Sequence, residues 1–467
     1  MHPRALLEAC AELVGLALKF DHPADQVVSR YFREHRELGP RERATLAETV
    51  YTVLRKKLLF DHMSPSGSGP KERRMAILGF HGPRDFLKSA LSDVEKRWLD
   101  QCDAVKPEDL LERHRHNLPE WLVAPLKAQL GEGFWPLVQS LQQPAPLDLR
   151  VNALTDKRPD VQKELGLAGI PAAATPFSPW GLRVEGKPAL AKLDAFARGA
   201  VEVQDEGSQL VALLVDARPG MRVADFCAGA GGKTLAIAAQ MKNKGKIFAC
   251  DVLQGRVDRA AVRFNRAGVH NVERKALSSE RDQWVKRHAG TFDRVLVDAP
   301  CTGTGTWRRN PDAKWKLSAQ DLEELEQVQR NILDSAWRLV KPGGRLIYAT
   351  CSLLVEENEA QIEAFLAAHA DFKLVPIADV WSEAISEAAP LSVIPAERSE
   401  SRDPCDASAA PNHRMGPGSR RLAAAVRDDN GGSGDGDAMQ AMLSLTPAQH
   451  GTDGFFAAVL ERVKVPK

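Results

Sequence analysis

Two cysteines stand directly after apolar segments that predict strands, in residues 297–301 and 348–352. They are Cys301 and Cys351, and a cysteine thiolate is a soft nucleophile that can bond to a carbon atom. Upstream of both lies a glycine-rich turn at residues 225–234, the kind of loop that holds a nucleotide-type cofactor. A cofactor loop combined with a thiol nucleophile could transfer a methyl group to an unreactive pyrimidine carbon.

Carbon 5 of cytosine illustrates why this chemistry needs a thiol, because that carbon is a poor nucleophile. A thiolate that adds to carbon 6 pushes electron density onto carbon 5, which then accepts the methyl group. Loss of the carbon 5 proton afterwards expels the thiol. The reaction also needs a carboxylate near the ring. Asp298 lies three residues before Cys301 at the carboxyl end of a predicted strand, where open α/β sheets bind ligands.

The glycine-rich turn follows a predicted strand and contains Gly229, Gly231 and Gly232. Glycines allow a tight turn and a close approach to a ligand, and the helix predicted from Lys233 offers free amide groups. Asp251 ends the next strand about twenty residues later, where related folds bind ribose hydroxyls. The loop and the acid together predict an adenosine-type cofactor.

Two other classes of enzyme use similar loops. Residues 232–234 resemble the end of a phosphate-binding P-loop, but that motif needs its first glycine where this chain has Cys227. A dehydrogenase would bind NAD with a similar loop, yet it has no need for two cysteines at later strand ends. S-adenosylmethionine explains the loop and the cysteines together, so we expect a methyltransferase.

The composition is that of an ordinary globular protein. The 467 residues favour two or three domains, hydrophobic residues make up 43% and charged residues 27%, and the net charge is +1. We expect no membrane span and no secretory signal, because the sequence has no long apolar run. The seven cysteines lack framework or zinc-site spacing, which predicts reduced thiols, no bound metal and a cytoplasmic protein. We expect a monomer.

The other cysteines have no chemical context of this kind. Cys250 lies inside an apolar strand and is expected to pack as a small buried side chain. Cys10, Cys102 and Cys405 have no neighbouring reactive groups. Cys227 is expected to be a loop residue whose backbone contacts the cofactor.

Hydrophobic periodicity divides the chain into three predicted domains. Residues 1–110 indicate helices, with apolar residues recurring at helical spacing near the N-terminus and across residues 42–59. Residues 111–200 predict a small α+β unit. Residues 201–467 alternate strands and helices, which predicts a parallel sheet with crossover helices.

The third domain is predicted to contain apolar strands at residues 223–226, 247–250, 295–297 and 346–348. An interruption follows at about residues 380–445, which are rich in Ser, Pro, Gly, Asp and Arg. A segment of this composition cannot bury enough apolar surface to become ordered, so we predict a flexible insertion. Residues 451–460 then predict a closing hairpin and an edge strand of the same sheet.

Several motifs resemble those of one enzyme family. The matching segments are residues 204–208, 225–234, 298–305, 309–312, and 349–352 followed by 356–358. They resemble the RNA 5-methylcytosine methyltransferase family typified by bacterial RsmB, also called Sun or Fmu. The resemblance extends from about residue 115 to the C-terminus, apart from the insertion, and the N-terminal helices are similar, more loosely, to the NusB-like domain of that family.

The resemblance implies an α/β fold and an RNA-modifying activity. A Rossmann-like methyltransferase domain would follow a small RNA-binding α+β domain and the helical NusB-like domain. The cofactor would be S-adenosyl-L-methionine, and the substrate a cytosine of RNA, with 16S rRNA as the expected partner. A tRNA substrate is the alternative within this class, and a non-catalytic RNA-binding ribosome assembly factor is the alternative outside it.

The resemblance also implies roles for single residues. Cys351 would be the nucleophile and Cys301 would assist breakdown of the covalent adduct. The residues alone leave this order open, because DNA cytosine methyltransferases use their Pro-Cys cysteine as the nucleophile. Asp298 would contact the cytosine edge, and Lys233 would hydrogen-bond near the reacting groups. The implied cofactor-binding residues are Cys227, Ala228, Gly229, Ala230, Gly231, Gly232, Lys233, Asp251, Arg256, Ser278 and Asp298.

One position departs from the family pattern. The family carries an acid near the adenine after its third strand, and this chain has Ser278 there. Glu280 could compensate through a shifted loop. The departure predicts a different contact with the adenine.

The segment after Cys301 is a candidate for RNA contact. Residues 307–311 place Trp307 beside Arg308 and Arg309. Cations and an aromatic ring together suit contact with an RNA backbone and stacking on an extruded base.

Overall fold

The N-terminal domain consists of packed helices. The computed structural model describes residues 1–186, 188–385 and 441–464. The first domain contains α1 (Pro3–Ala17), α2 (Ala24–Glu34), α3 (Pro40–Arg55), α4 (Lys57–Met63), α5 (Lys71–Gly79), α6 (Arg84–Ser89) and α7 (Asp93–Ala104). Their apolar faces enclose one core that includes Leu7, Leu13, Leu46 and Leu54. The helical domain is therefore confirmed, whereas its likeness to NusB-like domains stays a prediction.

One predicted helix is divided in two. The periodicity of residues 42–59 predicts a continuous helix, but α3 ends at Arg55 and α4 begins at Lys57. Lys56 between them has φ −110° and ψ 28°, outside the α-helical region. The buried Arg55 guanidinium donates a hydrogen bond at 3.0 Å to the backbone C=O of Arg308, so the interruption lies where this domain meets the C-terminal domain.

A helical linker joins the first domain to the rest of the chain. It contains α8 (Glu112–His116), α9 (Glu120–Leu130) and α10 (Phe134–Leu141). Leu122 and Phe134 of this linker share a hydrophobic core with Trp307, Leu353 and Leu354 of the C-terminal domain. The linker is therefore packed against the segments that follow the two cysteines.

The second domain is a small antiparallel sheet covered by helices. Its elements are β1 (Leu147–Val151), α11 (Arg158–Leu167), β2 (Ala172–Ala174), β3 (Gly181–Val184), α12 (Asp194–Ala197) and β4 (Val201–Val203). The strand order is β2-β3-β1-β4. Leu149 and Leu182 of the sheet pack with Val161 and Leu165 of α11. This arrangement confirms a small α+β unit, and its predicted limits stay predictions.

The third domain alternates helices and strands around one mixed sheet. Its elements are α13 (Glu206–Leu213), β5 (Arg222–Asp225), α14 (Gly232–Gln240), β6 (Lys246–Asp251), α15 (Gln254–Arg266), β7 (Val272–Ala276), α16 (Gln283–Arg287), β8 (Phe292–Asp298), α17 (Ala319–Ala336), β9 (Val340–Thr350), α18 (Glu359–Ala368), β10 (Phe372–Val375), α19 (Ile377–Ala384), β11 (Leu443–Leu445), α20 (Pro447–His450) and β12 (Phe455–Arg462). The strand order is β10-β12-β9-β8-β5-β6-β7, and β11 pairs with β12.

The order of the parallel strands creates a crevice beside β5. Strands β6 and β7 extend from β5 in one direction, whereas β8 and β9 extend from it in the other. The loops that follow β5 and β8 therefore leave the sheet on opposite sides, and ligands bind at such a switch point at the carboxyl ends of the strands. This is the edge at which Asp298, Cys301 and Cys351 were expected.

The prediction of an edge strand near the C-terminus is wrong. Strand β12 lies inside the sheet, antiparallel to both β9 and β10. Its residues from Phe455 to Leu460 are all buried, which is typical of a strand covered on both faces rather than an edge strand. The apolar run at residues 455–460 is itself the pattern of a strand that is buried on both faces.

The two ends of the range 380–445, predicted to be a flexible insertion, form regular structure. Helix α19 and strand β11 lie partly or wholly inside that range, and residues 386–440 lie outside the described part of the chain. Val380 and Leu443 belong to the core of the third domain. In the described ranges, no helix is long and apolar enough to cross a bilayer.

Candidate active site

A cavity of about 670 Å³ opens at the carboxyl ends of β5, β6 and β8. Its floor is formed by the loop after β5, and its walls by residues from α15, α17 and the second domain. The lining includes Asp225, Cys227, Ala228, Gly229, Ala230, Gly232, Lys233, Asp251, Arg256, Leu277, Glu280, Asp298, Pro300, Val328 and Ile332. Most of the residues predicted to bind a cofactor therefore surround one cavity.

The loop after β5 turns sharply because two of its glycines adopt left-handed backbone conformations. Gly229 has φ 55° and Gly231 has φ 80°. Gly231 does not line the cavity, and a Cβ at this position would lie 2.5 Å from the Phe264 ring of α15. It therefore permits close packing of the loop on α15, while Gly229 and Gly232 face the cavity.

Asp251 fixes the position of this loop through a hydrogen bond with Gly229. Its Oδ2 accepts a hydrogen bond from the Gly229 amide at 3.0 Å, and its Oδ1 accepts one from the Leu253 amide at 2.8 Å. The half-exposed guanidinium of Arg256 lies 3.8 Å from the same carboxylate. The buried acid is thus fixed at the cavity wall, in an orientation set by two backbone donors.

Asp225 lies at the end of β5 in the deepest part of the site. Its Oδ2 accepts a hydrogen bond at 2.6 Å from the Thr234 hydroxyl, whereas its buried Oδ1 has no hydrogen-bond partner in the described part of the chain. Burial raises the pKa of this carboxyl to about 7. A polar atom left unpaired at the edge of a cavity is a place where a ligand can supply the missing donor.

Lys233 and Asp298 form an ion pair across the cavity. The Lys233 ammonium donates a hydrogen bond at 2.6 Å to Asp298 Oδ2. Burial lowers the pKa of Lys233, but the adjacent Asp298 carboxylate outweighs this effect, so the net shift is upward. The lysine therefore stays cationic, although its side chain is only 11% exposed.

The two cysteines at the strand ends are in direct contact. The Sγ atoms of Cys301 and Cys351 lie 3.5 Å apart. Hydrogen bonding to Cys351, together with burial, raises the pKa of the Cys301 thiol well above its ordinary value. Either sulfur can be the donor in this contact. Neither sulfur lines the cavity, but Asp298 and Pro300, which lead into Cys301, do.

Cys227 and Cys250 are two further cysteines of the third domain. Burial raises the pKa of Cys227 well above the ordinary value of a thiol, and Cys250 is shifted in the same direction for the same reason. Both are therefore neutral thiols at neutral pH. Cys250 is fully buried in β6 and packs in the core, as its apolar context predicts.

Comparison with known proteins places these features in a family. The family described as 16S rRNA methyltransferase RsmB/F matches residues 212–404, and the ferredoxin-like domain of RsmF/B-like methyltransferases matches residues 118–191. Ribosomal RNA small subunit methyltransferase B of Klebsiella pneumoniae is 35% identical over 291 residues, which cover 62% of this chain and 67% of the relative.

Two further similarities extend over more of the chain. The probable ribosomal RNA small subunit methyltransferase B of Synechocystis is 32% identical over 398 residues, covering 76% of this chain and 87% of the relative. The crystal structure of PH0851 has a TM-score of 0.72 with 28% sequence identity and covers 99% of each chain. The chain belongs to the RsmB/F methyltransferase family. It is an S-adenosylmethionine-dependent enzyme that methylates cytosine at C5 in RNA.

Ser278 and Glu280, the two residues considered for the adenine side, are placed differently with respect to the cavity. Ser278 is exposed and is not among the residues that line the cavity. Its amide and its hydroxyl both donate to Asp282 Oδ2 at 2.9 Å, which turns the serine away from the cavity. Glu280 lines the cavity instead, together with Leu277 and Ile332. Glu280, and not Ser278, is therefore the residue of this segment that lines the wall, and its role toward the adenine stays a prediction.

The segment after Cys301 does not form the RNA surface that its composition predicts. Trp307 is only 2% exposed and packs in the core shared with the linker helices, so its ring is not available for a base to stack on it. Arg308 donates to Asp453 Oδ1 at 3.1 Å, and Arg309 donates to Asp205 Oδ2 at 2.8 Å. The two arginines therefore connect this segment to Asp453 and Asp205 within the enzyme. Sequence composition cannot distinguish such internal ion pairs from contacts with RNA.

Sequence reasoning missed one end of the cavity. Its wall includes Gln204, Asp205, Arg309 and Asp453, which come from three distant parts of the chain. Asp205 is buried beside Asp453, and burial followed by that neighbouring carboxylate raises the pKa of Asp205 to about 6. Arg309 bridges the two acids. Only the matches of residues 204–208 and 309–312 to family motifs pointed toward this wall.

Proposed function

We propose that this enzyme methylates C5 of a cytosine in 16S rRNA through a transient bond between Cys351 and carbon 6 of the base. The observation that supports this most is the contact of the Cys301 and Cys351 sulfurs at 3.5 Å, beside a cavity that also presents the Lys233–Asp298 pair. The 16S rRNA substrate is supported by the names of the relatives from Klebsiella and Synechocystis.

The cavity suits S-adenosylmethionine in its shape and in its polar groups. Asp251 would bind the ribose hydroxyls, supported by Arg256, and the loop from Cys227 to Lys233 would hold the methionine part. The unpaired Oδ1 of Asp225 fits a cofactor that carries an ammonium group. When bound, this cofactor supplies an electrophilic methyl group. Glu280 and Leu277 would contact the adenine.

Asp298 and Lys233 would orient the cytosine ring. A carboxylate accepts a hydrogen bond from the exocyclic amino group of cytosine, which uracil lacks. The Lys233 ammonium stabilises the Asp298 carboxylate and can donate to polar atoms of the base. Electron density that moves toward carbon 5 and the ring carbonyl is then stabilised by a buried cation.

The two cysteines would divide the covalent chemistry between them. The Cys351 thiolate forms the bond to carbon 6, which makes carbon 5 nucleophilic. After carbon 5 has accepted the methyl group, its proton must leave so that the electrons restore the 5,6 double bond and expel the Cys351 thiolate. Cys301 Sγ lies 3.5 Å from Cys351 Sγ, and a Cys301 thiolate there would take the carbon 5 proton and become a thiol as the bond between carbon 6 and Cys351 breaks. We therefore assign the breakdown of the adduct to Cys301.

Bisulfite sequencing of total RNA tests this function directly. In a strain that lacks the gene, one 5-methylcytosine of 16S rRNA should disappear, and expression of the wild-type gene should restore it. Restoration should fail with a Cys351→Ala gene. Loss of a 5-methylcytosine from a tRNA instead would identify tRNA, not 16S rRNA, as the substrate. An unchanged methylation pattern would favour a non-catalytic RNA-binding role.

A further inference from the structure

The loop that carries Cys301 is held by side chains from two other elements. Gln329 of α17 donates a hydrogen bond through its Nε2 to the backbone C=O of Pro300 at 3.0 Å. Glu357, in the segment after Cys351, accepts a hydrogen bond through its Oε1 from the backbone amide of Thr302 at 2.8 Å. The backbone is therefore held immediately before and immediately after Cys301.

Glu357 is a fully buried carboxylate that is bound by neutral donors. Besides the Thr302 amide, the Thr302 hydroxyl donates to its Oε2 at 2.5 Å, and Gln329 Nε2 donates to its Oε1 at 2.9 Å. Hydrogen bonds to a buried carboxylate are stronger than those between neutral groups. Such a network resists displacement of the loop, because any movement would leave a buried charge without donors.

Gln329 connects the loop to the carboxylate through a single amide nitrogen. Its side chain is fully buried, and its Oε1 has no hydrogen-bond partner within the described ranges. The reverse orientation of the amide would point Oε1 at two acceptors, the Pro300 C=O and Glu357 Oε1. The NH₂ group must therefore face both of them, and this fixes the distance between Pro300 and Glu357.

The same network extends to the loop that carries Cys351. The Ser352 hydroxyl lies 3.3 Å from the Thr302 hydroxyl and 3.2 Å from the Thr304 hydroxyl. The Gly305 amide donates to the backbone C=O of Cys351 at 2.9 Å. Because both loops share these contacts, the network sets the separation of the two sulfur atoms.

We propose that Gln329 and Glu357 are positioning residues that hold Cys301 in place for the breakdown of the covalent adduct. This inference rests on the proposed function of Cys301. Both side chains act directly on the backbone beside that cysteine, whereas the nucleophile Cys351 directly follows Thr350, the last residue of β9, which pairs with Phe456 of β12. Loss of the contacts should therefore impair release of the adduct more than its formation. Proton transfer is steep in distance, and a displacement of about 1 Å can cost on the order of 100-fold in rate.

A glutamine-to-methionine substitution tests this with a matched control. Methionine keeps the length of the side chain but cannot donate a hydrogen bond. Gln329→Met removes the contact with Pro300, whereas Gln361→Met alters a similarly buried glutamine of α18 whose Nε2 donates to the Glu356 C=O at 2.9 Å. The full-length variants, the wild type and Cys301→Ala are incubated with unmethylated 16S rRNA and S-adenosylmethionine, and covalent protein–RNA adducts are quantified on denaturing gels.

Gln329→Met should accumulate the adduct as Cys301→Ala does, with multiple-turnover methylation reduced about 10- to 100-fold and first-turnover methyl transfer reduced far less. Gln361→Met should behave as the wild type does. Glu357→Gln, which keeps the side-chain shape but removes the charge, should also accumulate adduct and provides a second variant if Gln329→Met is unfolded by thermal melting.

The possible failures are distinguishable. Suppose that Cys301→Ala traps the adduct as expected. The positioning role would then be overturned if folded Gln329→Met and Glu357→Gln showed wild-type adduct levels. It would also be overturned if these variants lost first-turnover and multiple-turnover methylation equally and formed no adduct. If Cys301→Ala itself releases the RNA normally, the role proposed for Cys301 is wrong, and the positioning role of Gln329 and Glu357 falls with it.

Discussion

Cys301 and Cys351 are 50 residues apart in the chain, and their sulfur atoms lie 3.5 Å apart in the structure. The contact forms because β8 and β9 are parallel neighbours, paired from Val297 with Tyr348 to Asp298 with Ala349. The loops that follow two such strands leave the sheet at the same edge. Parallel pairing thus brings the two thiols into contact, which is the basis of the first two predictions.

Cys351→Ala should reduce RNA methylation at least about 1,000-fold, because the covalent route through carbon 6 is lost. The measurement is transfer of a labelled methyl group from S-adenosylmethionine to unmethylated 16S rRNA. Cys102→Ala, in the N-terminal domain, is the control and should retain activity. Methylation by Cys351→Ala within tenfold of the wild type would eliminate this residue as the nucleophile.

Cys301→Ala should form the Cys351 adduct but release it slowly, because the thiol assigned to the breakdown step is absent. A slowly migrating protein–RNA species should then appear on a denaturing gel. The adduct should be absent from the double variant Cys301→Ala/Cys351→Ala. A bond that persists in the double variant would show that another residue attacks the base.

Asp298→Asn should lower turnover about 100-fold, because the amide cannot balance the charge of Lys233 and presents a donor to the cytosine amino group. The Lys233–Asp298 contact at 2.6 Å predicts that the two residues act as a unit. Lys233→Met added to Asp298→Asn should therefore cost much less than it does alone in a double-mutant cycle of kcat. Strictly additive losses would mean that the two side chains act independently.

Glu280→Gln should weaken the binding of S-adenosylmethionine by up to about tenfold, equivalent to about 1.4 kcal/mol, because Glu280 lines the cavity. Ser278→Ala should have little effect, since that serine is turned toward Asp282. Isothermal titration with S-adenosylhomocysteine measures both dissociation constants. Weaker binding by Ser278→Ala alone would restore the assignment made from the sequence pattern.

Asp225 should make stability depend on pH. Its pKa is about 7 in the folded protein and about 3.9 in an unfolded chain. Below pH 4 the carboxyl is protonated in both states, whereas between pH 4 and pH 7 only the unfolded state loses the proton. The contribution of Asp225 to stability is therefore complete at low pH and declines as the pH rises toward 7, by at most about 1.4 kcal/mol per pH unit.

Asp225→Asn should not show this decline, because an amide does not titrate. The thermal unfolding midpoint of the variant relative to the wild type should rise from pH 4.5 to pH 7 and level off above pH 7, measured without cofactor. Other titrating groups cancel in this difference. Parallel curves for the two proteins would indicate that the Asp225 carboxyl is already ionised in the folded state.

Local patterns were sufficient for the strands and for much of the cofactor cavity. The apolar run at residues 247–250 lies within β6, and the run at 223–226 lies in β5 except for its last residue, Phe226. The glycines after β5 surround or support the cavity. These features are readable because strand formation and left-handed turns depend on neighbouring residues. The same reasoning misjudged β12, where a run of buried residues was taken for an edge strand.

Contacts between distant segments were decided only by the folded structure. Arg308 and Arg309 have the composition of an RNA-binding loop, but packing pairs them with Asp453 and Asp205. Ser278 is hydrogen-bonded to Asp282, whereas Glu280 lines the cavity. Gln329 and Glu357 have no motif that identifies them with Cys301. A side chain's partner depends on which strands are adjacent and on how the helices pack, and neither is encoded in the residues beside it.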